Sequence, residues 1–166
     1  MAQCGFFGLF LFVPLLFAIS GCTYPISREL RHQAQKGLTF SEVLQNPSAH
    51  VGSIVIWGGV ILETQNYPNG TEILALETPL EYRGKPVGAR FSQGRFIAKT
   101  SKFLDPAVYV GGGRVTVAGE IIGKETRPLG QAQYAYPVVQ AKEIYLWKHH
   151  RYSYEYYWWD WYGPYF

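Results

Sequence analysis

Cys22 has the most informative setting of any chemically reactive residue in the chain. An apolar run extends from Phe6 to Ile19, contains Pro14, and leads into Ile19-Ser20-Gly21-Cys22. A membrane-spanning helix needs about 20 consecutive apolar residues, and this run is shorter. Its length is typical of the apolar region of a secretory signal peptide. The alternative is a buried core helix that ends in Ser-Gly-Cys.

The residues Ile19–Cys22 resemble the lipobox of bacterial lipoproteins, in which an aliphatic residue and two small residues precede cysteine. Small residues let an extended backbone enter a protease cleft, and the cysteine sulfur is the nucleophile that takes up a diacylglyceryl group. The resemblance implies that residues 1–21 are removed and that N-acyl diacylglyceryl Cys22, carrying palmitate, holds the protein on the membrane. Thr23 in place of aspartate implies the outer membrane. Met1-Ala2-Gln3 departs from the pattern, because a basic region is expected there. Either the start codon is misassigned or the signal is weak.

The composition excludes several kinds of site. Cys4 leaves with the signal peptide and Cys22 takes lipid, so no thiol remains for a disulfide, a metal or catalysis. The net charge of +3 comes from scattered residues, which favours a solvated surface over a nucleic-acid footprint. The alternative is a weak attraction to anionic lipid or lipopolysaccharide. We therefore expect no nucleic-acid partner.

No catalytic pattern emerges from the remaining residues. The serines lie in no Gly-x-Ser-x-Gly motif, and Gly111-Gly112-Gly113 lacks the Gly-Lys-Ser/Thr ending of a phosphate loop. Adjacent His149 and His150 would point to opposite sides of a strand. A glutamate pair is the one route left to a hydrolase. We expect no enzyme, no metal and no cofactor.

One short helix and five strands are predicted. Phe40, Val43 and Leu44 form a helical stripe, with Thr39 and Glu42 as a capping box and Pro47 as the stop. Strands are predicted over residues 54–64, 72–77, 88–98 or its second half, 115–122 and 136–147. Asn69-Gly70 predicts a hairpin between the first two. Gly58-Gly59 predicts a bulge or sharp bend.

These elements predict a mainly β protein: a small antiparallel OB-like barrel preceded by one short helix. The domain boundaries follow as signal peptide 1–21, lipidated cysteine and tether 22–36, barrel 37–148 and aromatic tail 149–166. Within the barrel, Arg90–Phe96 mixes basic and aromatic residues. This segment is either a ligand surface or, with Phe91 and Phe96 buried, part of the core.

The motif order is similar to that of the Slp family of starvation-inducible outer-membrane lipoproteins. The most specific pieces are Trp57-Gly58-Gly59 and Tyr136-Pro137-Val138-Val139, and the resemblance covers residues 22–147. It implies an outer-membrane location and a stress or stationary-phase association, without a molecular activity. The aromatic tail lies outside the recognised pattern.

The tail is the most biased segment, with ten aromatic residues among the fifteen from Tyr152 to Phe166. Tyr and Trp favour membrane–water interfaces. The candidate contacts to lipid headgroups, a partner protein or a glycan are Tyr154, Tyr156, Trp158, Trp159 and Trp161. The alternative is a disordered extension.

The sequence thus favours a non-enzymatic lipoprotein on the periplasmic face of the outer membrane, acting in stress-related envelope maintenance. The second hypothesis is a binding module for a glycan or a hydrophobic ligand, and an envelope protein is a further candidate partner. An envelope hydrolase ranks last.

Overall fold

The computed structural model describes residues 24–148. The predictions for the signal peptide, Cys22 and the tail therefore lie outside this range. The helices are α1 (Arg28–Gln33) and α2 (Phe40–Gln45), and short 3-10 turns lie at Pro47–His50 and Ala89–Phe91. The strands are β1 (Ile54–Tyr67), β2 (Gly70–Thr78), β3 (Gly94–Thr100), β4 (Arg114–Leu129) and β5 (Ala132–Trp147). Between Tyr24 and Lys148, no helix is long and apolar enough to cross a bilayer.

The five strands form one closed sheet in the order β1-β2-β3-β5-β4. This confirms the predicted mainly β, OB-like barrel. Four of the pairings are antiparallel, whereas β3 and β5 run parallel from Ile97/Val138 to Lys99/Gln140. An odd number of strands cannot close with every neighbour antiparallel, so one parallel pair is a geometric necessity.

The glycine pair of β1 lies where this strand pairs with both neighbours at once. Gly58 pairs with Thr78 of β2 and with Thr116 of β4. Of the predicted bulge or sharp bend at the pair, the bulge is wrong, because the β1–β2 register shifts at Leu62 instead. The glycines are needed for close approach: a Cβ on Gly58 would lie 2.4 Å from the Thr78 carbonyl oxygen.

Helix α2 packs against the barrel interior through the predicted stripe. The Thr39 hydroxyl accepts a hydrogen bond from the Glu42 amide, and the Glu42 carboxylate accepts one from the Thr39 amide at 2.8 Å, which confirms the capping box. The ring centres of Phe40 and Trp57 lie 5.0 Å apart, and those of Trp57 and Phe96 lie 5.3 Å apart. Both pairs are arranged edge to face. Such pairs add about 0.5–1.5 kcal/mol each beyond the area that they bury.

A second helix precedes α2, so the prediction of a single short helix is wrong. Helix α1 begins after Ser27, whose hydroxyl accepts from the Leu30 amide. Ile26 and Leu30, four residues apart on one side of the chain, are buried against Ala118 of β4. From Tyr24 onward, the segment predicted as a tether is therefore packed on the barrel.

Candidate functional site: a polar pocket on the outer surface of β2 and β3

The pocket begins with a cross-strand charge pair. Side chains alternate along a strand, so the inward Ile73 and Ala75 of β2 leave Glu72 on the outer surface. Glu72 pairs in register with Lys99 of β3, and their charged groups lie 3.6 Å apart. Glu72 is nevertheless buried, which requires further partners around its carboxylate.

Those partners come from the hairpin formed by the end of β4 and the start of β5. Arg127 donates to the carboxylates of both Glu72 and Glu125, and Lys99 donates to Glu125. We call Glu72, Lys99, Glu125 and Arg127 the charged cluster. Two cations alternate with two anions, so the cluster is neutral as a whole and ties the hairpin to β2 and β3.

Within the charged cluster, the contacts shift the pKa values of Glu125, Lys99 and Arg127 towards their ionised forms. Burial alone would oppose ionisation of Glu125, but hydrogen bonds from Lys99 and Arg127 outweigh it and lower the pKa of this carboxyl below its usual value. Hydrogen bonding to Glu125 raises the pKa of Lys99, and hydrogen bonding to Glu72 raises the pKa of Arg127. Glu125 therefore has no proton to donate near neutral pH, as a general acid must.

Beside the charged cluster lies a pocket of about 450 Å³. It is lined by Tyr67, Asn69, Gly70, Thr71, Glu72, Lys99, Thr100, Ser101, Arg127 and Gln140. This volume falls within the usual range for small-ligand sites, roughly 300–1,000 Å³. OB-type barrels bind oligonucleotides and oligosaccharides on strands 2 and 3, between the β1–β2 and β4–β5 loops, and the pocket lies there.

The lining suits a polar ligand with many hydroxyl groups. Asn69 and Gln140 offer amides that both donate and accept, and Thr100 and Ser101 offer hydroxyls, whereas the buried Thr71 hydroxyl is bonded to Asn66 and to the Leu104 amide. Tyr67 is 46% exposed at the edge and presents a ring on which an apolar sugar face can rest. Because the charged cluster has no net charge, it attracts neither strongly anionic nor strongly cationic ligands.

A second carboxyl group with a shifted pKa belongs to the barrel interior and not to the pocket. Glu77 follows the inward positions Ile73 and Ala75 on β2 and is 6% exposed. Its Oε2 atom has no hydrogen-bond partner among residues 24–148. Burial raises the pKa of Glu77 to about 7, against one hydrogen bond from the Gln93 amide that lowers it. Surrounded by packed strands, this group faces no substrate-sized space in the polar pocket.

The residues predicted to be functional are not brought together in the described range. Cys22, Tyr154, Tyr156, Trp158, Trp159 and Trp161 all lie outside it. Phe96 is fully buried, whereas Phe91 is 48% exposed with the Arg90 guanidinium 4.6 Å from its ring centre, so its assignment to the core is wrong. Within residues 24–148, no three His, Cys, Asp or Glu side chains cluster as metal ligands.

The sequence reasoning missed the charged cluster and the pocket. Glu72 and Arg127 are 55 positions apart, and neither belongs to a local motif. The usable signal was weak: Glu72 and Lys99 are charged residues within otherwise apolar strands. Only the strand register pairs them.

Comparison with known proteins assigns the chain to a family of outer membrane lipoproteins. The family model described as "Outer membrane lipoprotein Slp family" matches residues 19–166. The chain belongs to this family. The match continues through the aromatic tail, so the earlier restriction of the resemblance to residues 22–147 was too narrow.

Three relatives have modest identity to the chain. An uncharacterized protein of Haemophilus influenzae is 31% identical over 138 residues, which are 82% of this chain and 74% of the relative. The uncharacterized lipoprotein YeaY of Escherichia coli is 30% identical over 63% of this chain and 54% of its own length. The outer membrane protein Slp of Escherichia coli is 28% identical over 82% of this chain and 73% of its own length. No solved structure matches.

Proposed function

We propose that the protein is a non-enzymatic lipoprotein, anchored by acylated Cys22 on the periplasmic face of the outer membrane and acting in envelope maintenance under stress. Membership of the outer membrane lipoprotein family and the lipobox-like Ile19–Cys22 support the anchor and the location. The sequence resemblance to starvation-inducible lipoproteins supports the stress role.

The proposal that the protein is not an enzyme rests on one observation: the carboxylates beside the pocket are bound in ion pairs. Glu72 contacts Arg127 and Lys99, and Glu125 contacts the same two cations. A glycosidase needs one carboxylic acid that keeps its proton and a second carboxylate free to act as base or nucleophile. The charged cluster supplies neither.

The anchor is tested by replacing the sulfur nucleophile. A Cys22→Ser precursor expressed in cells fed labelled palmitate is expected to incorporate no label, to keep residues 1–21, and to leave the outer-membrane fraction. Cys4→Ser is the matched control and is expected to label and fractionate as the unaltered chain does. Palmitate on the Cys22→Ser protein would overturn the anchor.

The maintenance role is tested in stationary-phase cells that lack the gene. We expect increased entry of a large antibiotic or a detergent, restored by the complete chain and not by Cys22→Ser. An unchanged barrier in growing, starved and detergent-stressed cells would contradict this role.

A second candidate function, glycan binding, is favoured by the polar pocket. Its planar amides, hydroxyls and exposed Tyr67 ring match the groups that recognise sugar rings, and the cell envelope supplies glycans of this size. We propose cell-wall or core oligosaccharides of about one or two rings, as the volume allows.

Titration of unlipidated residues 22–166, carrying Cys22→Ser, with purified muropeptides and core oligosaccharides tests the second candidate. Tyr67→Ala and Gln140→Ala are each expected to weaken binding about tenfold, the loss expected when a stacking or hydrogen-bonding group is removed. Tyr82→Ala, at a tyrosine that is 98% exposed outside the pocket, is the control. Equal affinities for all three variants would exclude the pocket as the site.

A further inference from the structure

The described chain starts in firm contact with the barrel. The Tyr24 ring lies over Gly84, which has a φ of +77°. A Cβ on Gly84 would lie 2.6 Å from the Cζ atom of Tyr24, so only glycine fits beneath the ring. The Arg31 guanidinium lies 4.7 Å from the centre of the same ring. Two backbone bonds continue the attachment: Ser27 N–H donates to Glu143, and Gln35 N–H donates to the Ile54 carbonyl, each at 2.8 Å.

This contact leaves almost no linker before the proposed lipid. Cys22 lies two residues before Tyr24. Two extended residues span at most about 7 Å, so the Cα atom of Tyr24 lies within about that distance of the Cα atom of Cys22, whose sulfur carries the proposed lipid. With this anchor, the surface around Tyr24 is held near the headgroups.

The C-terminal end of the described domain reaches the same surface. The Trp147 indole N–H donates to the Thr116 hydroxyl at 2.8 Å, and that hydroxyl donates to the Gly84 carbonyl at 2.6 Å. Gly84 is the residue beneath the Tyr24 ring. Eighteen residues, 149–166, thus continue from a point close to where the chain enters the barrel.

The surface around Gly84 is basic and carries an exposed aromatic ring. The segment that follows β2, residues 79–88, is a loop held by an isolated antiparallel β-bridge between Leu80 and Pro86. We call it loop 79–88. The loop presents Arg83, Lys85 and Tyr82, of which Tyr82 is 98% exposed. Arg114 donates to the Pro86 carbonyl, and Arg31 lies over Tyr24. Glu81 in the loop, Glu29 in α1 and Glu143 beneath Ser27 are nearby acidic residues, and Glu120 of β4 is paired with Lys142, so the four cations leave an excess of one positive charge.

The polar pocket lies on the other side of the barrel. In the closed order β1-β2-β3-β5-β4, strand β4 is opposite the boundary between β2 and β3. Thr116 and Ala118 project from the outer surface of β4 towards Gly84 and α1. Glu72 and Lys99 project from the outer surface of β2 and β3. We call the first surface the α1 face and the second the pocket face.

We propose that the α1 face is a docking surface for anionic phospholipid headgroups, which turns the pocket face away from the membrane. The proposal rests on the anchor at Cys22 from the proposed function. Arg31, Arg83, Lys85 and Arg114 attract the negative headgroups, and Tyr82 enters the interface, where tyrosine is favoured. The acyl chains on Cys22 already give stable attachment, so the basic residues serve to orient the barrel on the membrane.

The test uses residues 22–166, whose only thiol is Cys22, coupled to a maleimide lipid in vesicles. The vesicles contain phosphatidylethanolamine with about one third phosphatidylglycerol. A photo-crosslinking phenylalanine analogue replaces Tyr82 in one protein and Tyr67, on the pocket face, in its control. We expect about tenfold more lipid adduct from position 82, because the cations around it attract the anionic headgroups. Phe103, which is 74% exposed, provides a second control position.

A charge reversal provides the second arm. Arg83→Glu with Lys85→Glu is expected to abolish the excess adduct at position 82, as is salt of about 0.5 M, which shortens the Debye length to a few ångströms. Lys102→Glu with Lys124→Glu changes the net charge by the same amount away from the α1 face. This control is expected to leave the excess adduct at position 82 unchanged.

Equal adduct at positions 82 and 67, or an excess at 67, would overturn the docking proposal. Because the coupling supplies the lipid, this result does not depend on acylation in cells. Failure of palmitate labelling would instead remove the anchor, and docking would then be a property of the α1 face alone.

Discussion

The two outer faces of the same closed sheet differ in how they satisfy their side chains. On the α1 face, apolar Ile26 and Leu30 cover Ala118, and backbone hydrogen bonds from Ser27 and Gln35 fasten the covering segment. On the pocket face, the hairpin of β4 and β5 is held by the charged cluster and leaves a pocket open beside it. Apolar burial has closed one surface, whereas paired charges support an accessible site on the other.

In the proposed functions, this difference separates attachment from recognition. Apolar contact is insensitive to direction and gives a seal, while an ion-pair network orients its groups and tolerates nearby water. Three substitutions and one deletion test this division, from the largest expected change in the free energy of unfolding to the smallest.

The seal on the α1 face is tested by Ile26→Ala. Ile26 is 1% exposed, and truncation is expected to lower the free energy of unfolding by about 2–4 kcal/mol through lost burial and the cavity left behind. Urea denaturation of unlipidated residues 22–166 measures the loss. Val108→Ala, at a valine that is 55% exposed, is expected to change it by no more than about 0.5 kcal/mol. If Ile26→Ala lowers the free energy of unfolding no more than Val108→Ala does, residues 24–33 are not docked on the barrel.

Between the two faces, the barrel interior contains Glu77, which predicts a pH dependence. Because burial raises its pKa to about 7, the folded chain keeps a proton that the unfolded chain releases near pH 4.5. Stability therefore falls as pH rises from 4.5 to 7. Glu77→Gln is expected to flatten this slope and to stabilise the protein by about 2–3 kcal/mol at pH 8.

Denaturation at pH 5 and pH 8 measures the Glu77 effect. Glu63→Gln, at an exposed carboxylate of β1, is the matched control and is expected to leave the slope as it is. A Glu77→Gln protein with the slope of the unaltered chain would show that Glu77 is ionised when folded.

The support of the pocket face is tested by Glu72→Gln. The amide keeps the shape but removes the charge between Lys99 and Arg127, each of which is about one third exposed. Solvent screening therefore limits the expected loss to about 1–2 kcal/mol, less than for a fully buried pair. Thermal unfolding measures it, and glycan titration is expected to weaken in parallel. Stability and binding that both stay unchanged would contradict the supporting role of the charged cluster.

The smallest change in stability is expected from deleting residues 149–166. These residues include the predicted interfacial aromatics Tyr154, Tyr156, Trp158, Trp159 and Trp161. Liposome binding of the unlipidated protein is expected to fall, while the free energy of unfolding shifts by no more than about 0.5 kcal/mol. Unchanged liposome binding would argue against an interfacial tail.

Features encoded locally could be predicted from the sequence. Asn69-Gly70 marks the hairpin of β1 and β2, and Thr39 with Glu42 marks the start of α2, because neighbouring residues suffice to form them. The alternation around Val115 and Val117 likewise predicts β4, although the strand continues to Leu129.

Features that depend on distant contacts could not. Gly58 is required by the Thr78 carbonyl, twenty residues away, and no bulge forms there. Residues 22–36 are mostly polar in sequence, so a tether is predicted. Ile26 and Leu30 dock this segment on the barrel only because Ala118 of β4 lies beneath them. The pocket needs β2, β3 and the β4–β5 hairpin together, so its residues share no sequence motif.

The short connection between Tyr24 and Cys22 has a consequence for where the protein can act. With the proposed anchor, the barrel moves in two dimensions and has no reach across the periplasm. A compact domain of about 125 residues is about 35 Å across. The pocket is then held at a nearly constant height of that order above the membrane, and ligands must come within this layer. Lengthening the segment before Tyr24 would widen the layer without altering a single contact of the pocket.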